Sequence, residues 1–350
     1  MPPAKIRVLV VDDSAIFRRF ISGVLSADPG IEVVGAAADP YEARGLILSL
    51  KPDVLTLDIE MPKMDGITFL KILSTQHPVP AVVFSSLSAS GSKYALQALE
   101  AGAVDVMAKP SNGVFGRDLG HELVMKVKAA AGSTRVQRTQ QPPSFSAYHS
   151  AVNRASPDQI ILIGSSTGGT EALKDILGAL PPNLPPILIV QHIPAGFSAA
   201  MARRLDEISQ LEVREAAEGD QPGRGMVLVA PGDQHMVLAK RGENFVVRLK
   251  QGPKINFCRP SVDVLFESAA PLVGGKAVAG ILTGMGDDGA RGLLALRNAG
   301  CRTFAQDEKT CVVYGMPRKA FEAGGVQKMV PLEKIAEHIV KTVAATAVAA

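Results

Sequence analysis

The sequence predicts an α/β protein of two domains, each built on a mostly parallel sheet. Three observations carry this. Short β-branched runs alternate with amphipathic segments along the chain. The runs are continuously apolar rather than alternating, as in strands covered on both faces. The length, 350 residues, is about two domains at roughly 150 residues each.

In the first half, Ile6–Val11, Ile31–Ala36, Val54–Leu57, Ala81–Phe84 and Val104–Met107 read as strands. Segments between them, such as Phe17–Leu25 and Tyr94–Leu99, carry helical spacing. Regular alternation of this kind means a right-handed, doubly wound (βα)5 domain. It closes at residue 131, after the helical segment His121–Ala131.

From Leu123 to Pro157 the chain has no acidic residue, and Gly132, Ser133, Thr134, Gln140, Gln141, Pro142 and Pro143 suppress regular structure. Residues 132–157 therefore read as a linker, a solvated tether with Arg135, Arg138 and Arg154 along it. A second alternation, 158–345, starts at Gln159–Ile163. Strands are expected at Ile187–Gln191, Gly225–Ala230, Ala277–Thr283 and Arg302–Ala305. A hairpin pairs His235–Ala239 with Phe245–Leu249 around Arg241-Gly242. Helices fit Thr170–Leu180, Val262–Val273, Ala290–Ala299 and Leu332–Thr342.

Composition excludes several classes. Lys and Arg number 37 against 34 Asp and Glu, a net charge of +3. That balance argues against nucleic acid as a partner, because a dedicated binder concentrates basic charge. The three cysteines, Cys258, Cys301 and Cys311, are odd in number and never spaced Cys-x-x-Cys, so neither a disulfide framework nor a zinc module is expected. No apolar run approaches the ~20 residues of a membrane helix. A soluble cytoplasmic protein without membrane insertion is expected, and nothing demands more than a monomer.

The acids of the first half sit at strand ends. Asp12-Asp13 follow the first strand, Asp58 the third, Ser85-Ser86 the fourth and Lys109-Pro110 the fifth. In an open parallel sheet these positions share the carboxyl edge, where ligands bind. Three crowded carboxylates call for a cation, and Mg²⁺, which prefers oxygen ligands, suits them. A lysine and a hydroxyl beside them suit a phosphoryl group, with Asp58 as its acceptor. One Asp alone would more often be a helix cap; five chemically apt positions at successive strand ends are harder to attribute to chance.

The segments Val-Leu-Val-Val-Asp-Asp-Ser (8–14), Asp-Ile-Glu-Met-Pro-Lys-Met-Asp-Gly (58–66) and Ala-Lys-Pro (108–110) resemble the response-regulator receiver domain. The resemblance implies that Asp58 is phosphorylated by a histidine kinase. It implies Mg²⁺ held by Asp12, Asp13, Asp58 and the backbone of Glu60, with Ser85 (ahead of Ser86) and Lys109 as the phosphoryl-sensing pair. The position three before Lys109, usually aromatic in that family, is Val106, which removes the rotating aromatic from the expected switch.

In the second half, Gly164-Ser165-Ser166-Thr167-Gly168-Gly169 follows a strand and opens a helix. It fits the nucleophile elbow Gly-x-Ser-x-Gly with Ser166 central, and fails both the dinucleotide and the Walker patterns. A serine needs a base, and of six histidines only His192 directly follows a parallel strand, with His235 in reserve. Asp287 or Asp288, in Thr-Gly-Met-Gly-Asp-Asp-Gly (283–289), would supply the orienting carboxylate; spacing does not choose between them. The order Ser, His, Asp disfavours the α/β-hydrolase fold.

Those segments, with Val-Gln-His-Ile-Pro (190–194), Arg-Pro-Ser-Val-Asp (259–263), Ala-Gln-Asp-Glu (305–308) and Val-Tyr-Gly-Met-Pro (313–317), resemble the catalytic domain of the chemotaxis protein-glutamate methylesterases. The resemblance implies Ser166 as nucleophile, His192 as base and Asp288 as orienting acid, with no cofactor for the hydrolysis. Position 165, commonly Ala in that family, is Ser here. The oxyanion would be held by the backbone N–H groups of Thr167 and Met285. The implied substrates are glutamyl methyl esters on chemoreceptors, with receptor glutamines as a second class. An unmodified receiver would cover the cleft until Asp58 is phosphorylated. The rival reading, a receiver driving transcription, needs a basic recognition helix that the second half lacks.

Overall fold

The computed structural model describes residues 4–86, 88–110, 116–133 and 158–348. They form two compact units divided between Ser133 and Thr134. Most of the expected linker, from residue 134 to 157, lies outside the described residues.

The first unit runs β1 (Ile6–Val11), α1 (Ala15–Ser26), β2 (Ile31–Ala37), α2 (Pro40–Leu50), β3 (Val54–Asp58), α3 (Gly66–Gln76), β4 (Ala81–Ser85), α4 (Ala89–Glu100), β5 (Asp105–Ala108) and α5 (Arg117–Ala131). Its sheet has the order β2-β1-β3-β4-β5 and is parallel throughout. Phe17, Ile21 and Leu25 of α1 pack with Leu123, Val127 and Ala130 of α5 over the apolar strands. Apolar spacing does not mark helices α2 and α3 in the sequence. Their starts are fixed by caps instead: Asp39 accepts from the N–H groups of Tyr41 and Glu42 ahead of Pro40 at the first turn, and Asp65 accepts from Thr68 N.

The second unit runs β6 (Ile160–Ser165), α6 (Gly169–Ala179), β7 (Ile187–Gln191), α7 (Ser198–Ile208), β8 (Glu212–Glu215), β9 (Met226–Val229), β10 (His235–Arg241), β11 (Asn244–Lys250), α8 (Val262–Val273), β12 (Ala277–Ile281), α9 (Ala290–Asn298), β13 (Arg302–Gln306), α10 (Met316–Glu322), β14 (Lys328–Val330) and α11 (Leu332–Val348). Seven strands pair in the order β14-β13-β12-β6-β7-β9-β8, all parallel. β10 and β11 form the expected antiparallel hairpin, with Arg241 already paired to Asn244. One core joins α8, α9 and the hairpin to one face of the sheet.

Strands β8 and β14 escape the sequence pattern because they are edges. β8 buries only Val213, and β14 has three residues and buries only Val330, so neither shows an apolar run. Among the described residues no helix is long and apolar enough to cross a membrane. The winding direction reverses at β6, which has β7 on one side and β12 on the other. A crevice at the carboxyl ends of these three strands is the expected binding place in such a sheet.

Candidate active site

The register of β6 on β7 pairs Ser165 with Gln191, which places Ser166 and His192 side by side one residue beyond the sheet. Side chains alternate along strands. Ser165 is fully buried and donates to Gln191 Oε1 at 2.6 Å. Ser166, on the opposite side, is half-buried. Gln191 Nε2 also donates to the carbonyls of Ser166 (2.9 Å) and His192 (3.0 Å), stitching the two strand ends together. The extra hydroxyl at position 165 is therefore committed to the wall of the site.

The elbow is held by close packing. Ser166 N donates to Thr283 O at 3.0 Å and Gly169 N to Ser166 O at 2.7 Å. Gly168 adopts φ +77°, and a Cβ there would fall 2.6 Å from that of Val312, so the turn into α6 requires glycine. Gly284 lies so near Ser166 that a Cβ on it would sit 2.6 Å from the serine Cβ. The N-terminus of α6 has no side-chain cap, so its N–H groups and dipole favour negative charge at this end. Gly284 O accepts from Gly315 N and Met316 N, pinning the turn that carries Met285.

Asp288, not Asp287, enters the site. Asp287 is exposed and its carbonyl accepts from Ala290 N. Asp288 is 2% exposed, with Oδ2 2.7 Å from His192 Nε2. It also accepts from Ser261 Oγ at 2.7 Å, Val262 N at 2.6 Å and Asp263 N at 3.2 Å, the first turn of α8 and its cap. Burial disfavours this carboxylate, but the His192 bond and the donors at the start of α8 outweigh it and hold its pKa below the usual range. An ionised Asp288 can only accept, so Nε2 carries the proton and donates to it, which fixes the ring tautomer.

His192 responds in the opposite sense. Burial disfavours the charged ring, while the facing Cys258 sulfur and the Asp288 carboxylate favour it, and the pKa is raised. Its Nδ1 faces Cys258 Sγ at 3.5 Å. Among the described residues no hydrogen bond joins Ser166 Oγ to the ring. The structure thus joins His192 to Asp288 directly and sets Ser166 on the adjoining strand end. The reserve candidate His235 is 4% exposed, with Ser261 N on Nδ1 (3.2 Å) and Pro253 O on Nε2 (2.9 Å). Both nitrogens are satisfied, so it is a structural residue.

Sequence reasoning gave Cys258, Asn256 and Ser261 no role. Ser261 was legible as a hydroxyl before a helix, three residues ahead of Val264, whose N–H it accepts. Cys258 and Asn256 carried no such signal. They reach the site through a two-residue turn in which Ile255 and Cys258 exchange backbone hydrogen bonds of 3.0 and 2.8 Å. Its central residues, Asn256 and Phe257, have φ of 49° and 62°, the left-handed pair of a type I′ turn.

In the first unit, the ligand oxygens of Asp12, Asp13 and Asp58 lie within 4.8 Å of one another. Lys109 Nζ stands 2.8 Å from Asp12 Oδ2 and 2.6 Å from Asp58 Oδ2, and 5.0 Å above the Phe17 ring. Burial pushes Asp58 up to about 6, with Lys109 opposing and Asp12 adding to the rise. One ammonium does not balance three carboxylates, and the all-oxygen donor set fits Mg²⁺. Glu60 N donates to Asp58 Oδ1 at 3.2 Å, which sets the Glu60 backbone next to the acceptor. Ser85 Oγ is buried and donates to Gly91 O at 2.8 Å, whereas Ser86 Oγ donates to Glu60 Oε1 at 3.1 Å. Val106 is buried on β5.

Residues 161–339 match the family model of the CheB methylesterases, and residues 8–114 that of the response regulator receiver domain. A protein-glutamate methylesterase/protein-glutamine glutaminase of Syntrophus aciditrophicus is 49% identical, over 97% of this chain and 100% of its own. One from Anaeromyxobacter dehalogenans is 52% identical over 97% and 95%. The crystal structure of the Thermotoga maritima CheB methylesterase catalytic domain matches with a TM-score of 0.51 at 42% identity, covering 52% of this chain and 97% of that one. With this likeness spanning both units, the chain belongs to the CheB methylesterase family and carries a response regulator receiver domain ahead of its catalytic domain.

Proposed function

We propose that the protein is a phosphorylation-activated hydrolase of chemotaxis, a protein-glutamate methylesterase and protein-glutamine glutaminase acting on methyl-accepting chemoreceptors. The observation that carries this reading is the hydrogen bond from His192 to a buried, ionised Asp288 beside the half-buried Ser166. Ser166 Oγ attacks the γ-carbonyl of the glutamyl methyl ester as His192 takes its proton on Nδ1. Such hydrogen bonds tighten when substrate closes the site. Asp288 stabilises the resulting imidazolium through its bond to Nε2. The N–H groups of Thr167 and Met285 receive the oxyanion; losing one such donor costs about 10²–10³ in rate. Methanol leaves, and His192 activates the water that releases the glutamate. A glutamine substrate follows the same path and releases ammonia. The hydrolysis needs no cofactor.

In the receiver, Asp58 is the phosphoryl acceptor, supplied by the chemotaxis histidine kinase. Asp12, Asp13, Asp58 and the Glu60 backbone would hold Mg²⁺, which when bound neutralises charge around the transferred group. Lys109 and Ser85 then sense the phosphoryl oxygens. Ser85 must leave Gly91 O to do so, which couples the modification to the start of α4. The domain limits 1–131 and 158–345 assign one activity to each unit, and Cys258, Cys301 and Cys311 held as thiols rather than disulfides suit a reducing cytoplasm. The test is methanol release from methylated receptor. Ser166→Ala abolishes it, while Ser165→Ala loses one buried hydrogen bond, about 1 kcal/mol, and stays active. The reverse pattern would move the nucleophile to Ser165.

A further inference from the structure

The side of the His192 ring turned away from Asp288 is not used by any residue of the proposed triad in the free protein. It faces a thiol. We propose that His192 Nδ1 and Cys258 Sγ form a binding site for a thiophilic divalent cation, Zn²⁺ being the best match, with Asp288 holding the ring from behind.

Three features of the geometry point there. The ring, thiol and carboxylate ligand atoms lie within 4.8 Å of one another. Zn–N near 2.0–2.1 Å and Zn–S near 2.3 Å at a tetrahedral angle give an N···S span of about 3.5 Å. The Nδ1–Sγ separation is 3.5 Å, so neither side chain has to move. The other ring nitrogen is bonded to a carboxylate at 2.7 Å, the outer-shell arrangement that orients metal-bound histidines and fixes their tautomer. Asp288 itself, with its oxygens taken by Ser261, Val262 and Asp263, is a supporting residue and not a ligand.

The thiol is also held in place. The paired turn of Ile255 and Cys258 fixes its backbone, and Asn256 Nδ2 ties the same turn to Asp263 at 3.2 Å and Asp288 at 3.4 Å. The remaining two positions of the tetrahedron are left for water. Sulfur and imidazole select against Mg²⁺, whose all-oxygen ligands lie in the receiver. On binding, Cys258 loses its thiol proton to solvent, a charged ring loses its Nδ1 proton to solvent as well, and the Nδ1 lone pair is donated to the metal. His192 then has no electron pair with which to deprotonate Ser166. The cation would act as a reversible inhibitor; this consequence rests on the hydrolase reading, the binding does not.

Co²⁺ titrated into the full-length protein, with Mg²⁺ in excess, is the probe. One equivalent is expected to give a thiolate-to-metal charge-transfer band that Zn²⁺ removes by competition. Cys258→Ala and the near-isosteric Cys258→Ser both lose the band; Asp58→Asn keeps it. Asp288→Asn weakens Co²⁺ binding about 10–100-fold. Zn²⁺ stops methanol release by the wild type and leaves Cys258→Ala turning over. No charge-transfer band, or one that survives in both Cys258 variants, overturns the site. A band with undiminished methanol release would keep the site and overturn its inhibitory role.

Discussion

His192 lies 2.7 Å from Asp288, and the two residues are anchored by different parts of the sheet. His192 follows β7, next to β6; Asp288 follows β12, on the other side of β6, and is fastened to the start of α8. The first prediction follows from this. Asp288→Asn keeps the shape but offers Nε2 a neutral amide, so the ring loses its fixed tautomer and its support as a cation. A fall in kcat of about 10³–10⁴ is expected with KM little changed. A loss below tenfold would show that the ring is oriented by something else.

Gly284→Ala tests the packing beneath Ser166, the proposed nucleophile. The new Cβ would meet Ser166 Cβ at 2.6 Å and Met316 Sδ at 2.5 Å. The methionine can swing away; the elbow cannot without displacing Ser166. A shift of about 1 Å at a reacting atom costs on the order of 10²-fold. Methanol release should drop by that amount while the thermal midpoint falls only a few degrees.

Asp58→Asn bears on the receiver. Without Mg²⁺ the variant should melt at higher temperature than the wild type, because burial and Asp12 burden the Asp58 carboxylate more than Lys109 relieves it. Added Mg²⁺ should raise the melting temperature of the wild type and scarcely move that of the variant. Phosphoryl incorporation from a small-molecule phosphodonor should vanish. A variant less stable than the wild type without Mg²⁺ would contradict the charge imbalance.

His338 supplies a pH dependence. Burial, with Lys328 adding, pushes its pKa down from 6.5 to about 4, and its ring meets Phe304 edge-on at 5.3 Å. The unfolded chain binds the proton first, so this residue removes stability as pH falls from about 6.5 towards 4 and nothing further below that. His338→Leu should flatten that part of the stability–pH curve in denaturant titrations at pH 7 and 5. Equal losses in both proteins would mean that the ring is free to charge in the folded state.

If the unphosphorylated receiver restrains the esterase, residues 153–350 alone should release methanol faster than the unphosphorylated full chain. Phosphorylation of Asp58 should raise the full chain towards the fragment. A fragment no faster than the unmodified protein would remove the restraint.

The parallel sheets and the strand-end positions of the candidate groups were legible because both depend on local apolar runs and the residue after each. Asp58, Ser166 and His192 all fall at such ends. What remained hidden depends on tertiary placement. The choice of Asp288 over Asp287 is made by α8, whose first N–H groups reach only one of them, and no spacing within 283–289 encodes that. Cys258 enters through a turn whose two left-handed residues, Asn256 and Phe257, lack the usual glycine signal. The edge strand β8 shows one buried residue and so no periodicity to read.

Ser165 and Ser166 stand one residue apart and, by strand alternation, on opposite sides of β6, one bonded to Gln191 and the other at the cleft. Displacing β6 by a single position along β7 would exchange them, burying the proposed nucleophile and presenting the other hydroxyl. Turnover is therefore a chemical report on strand alignment in the middle of the seven-stranded sheet. Any treatment that loosens that pairing should silence the enzyme before it unfolds it.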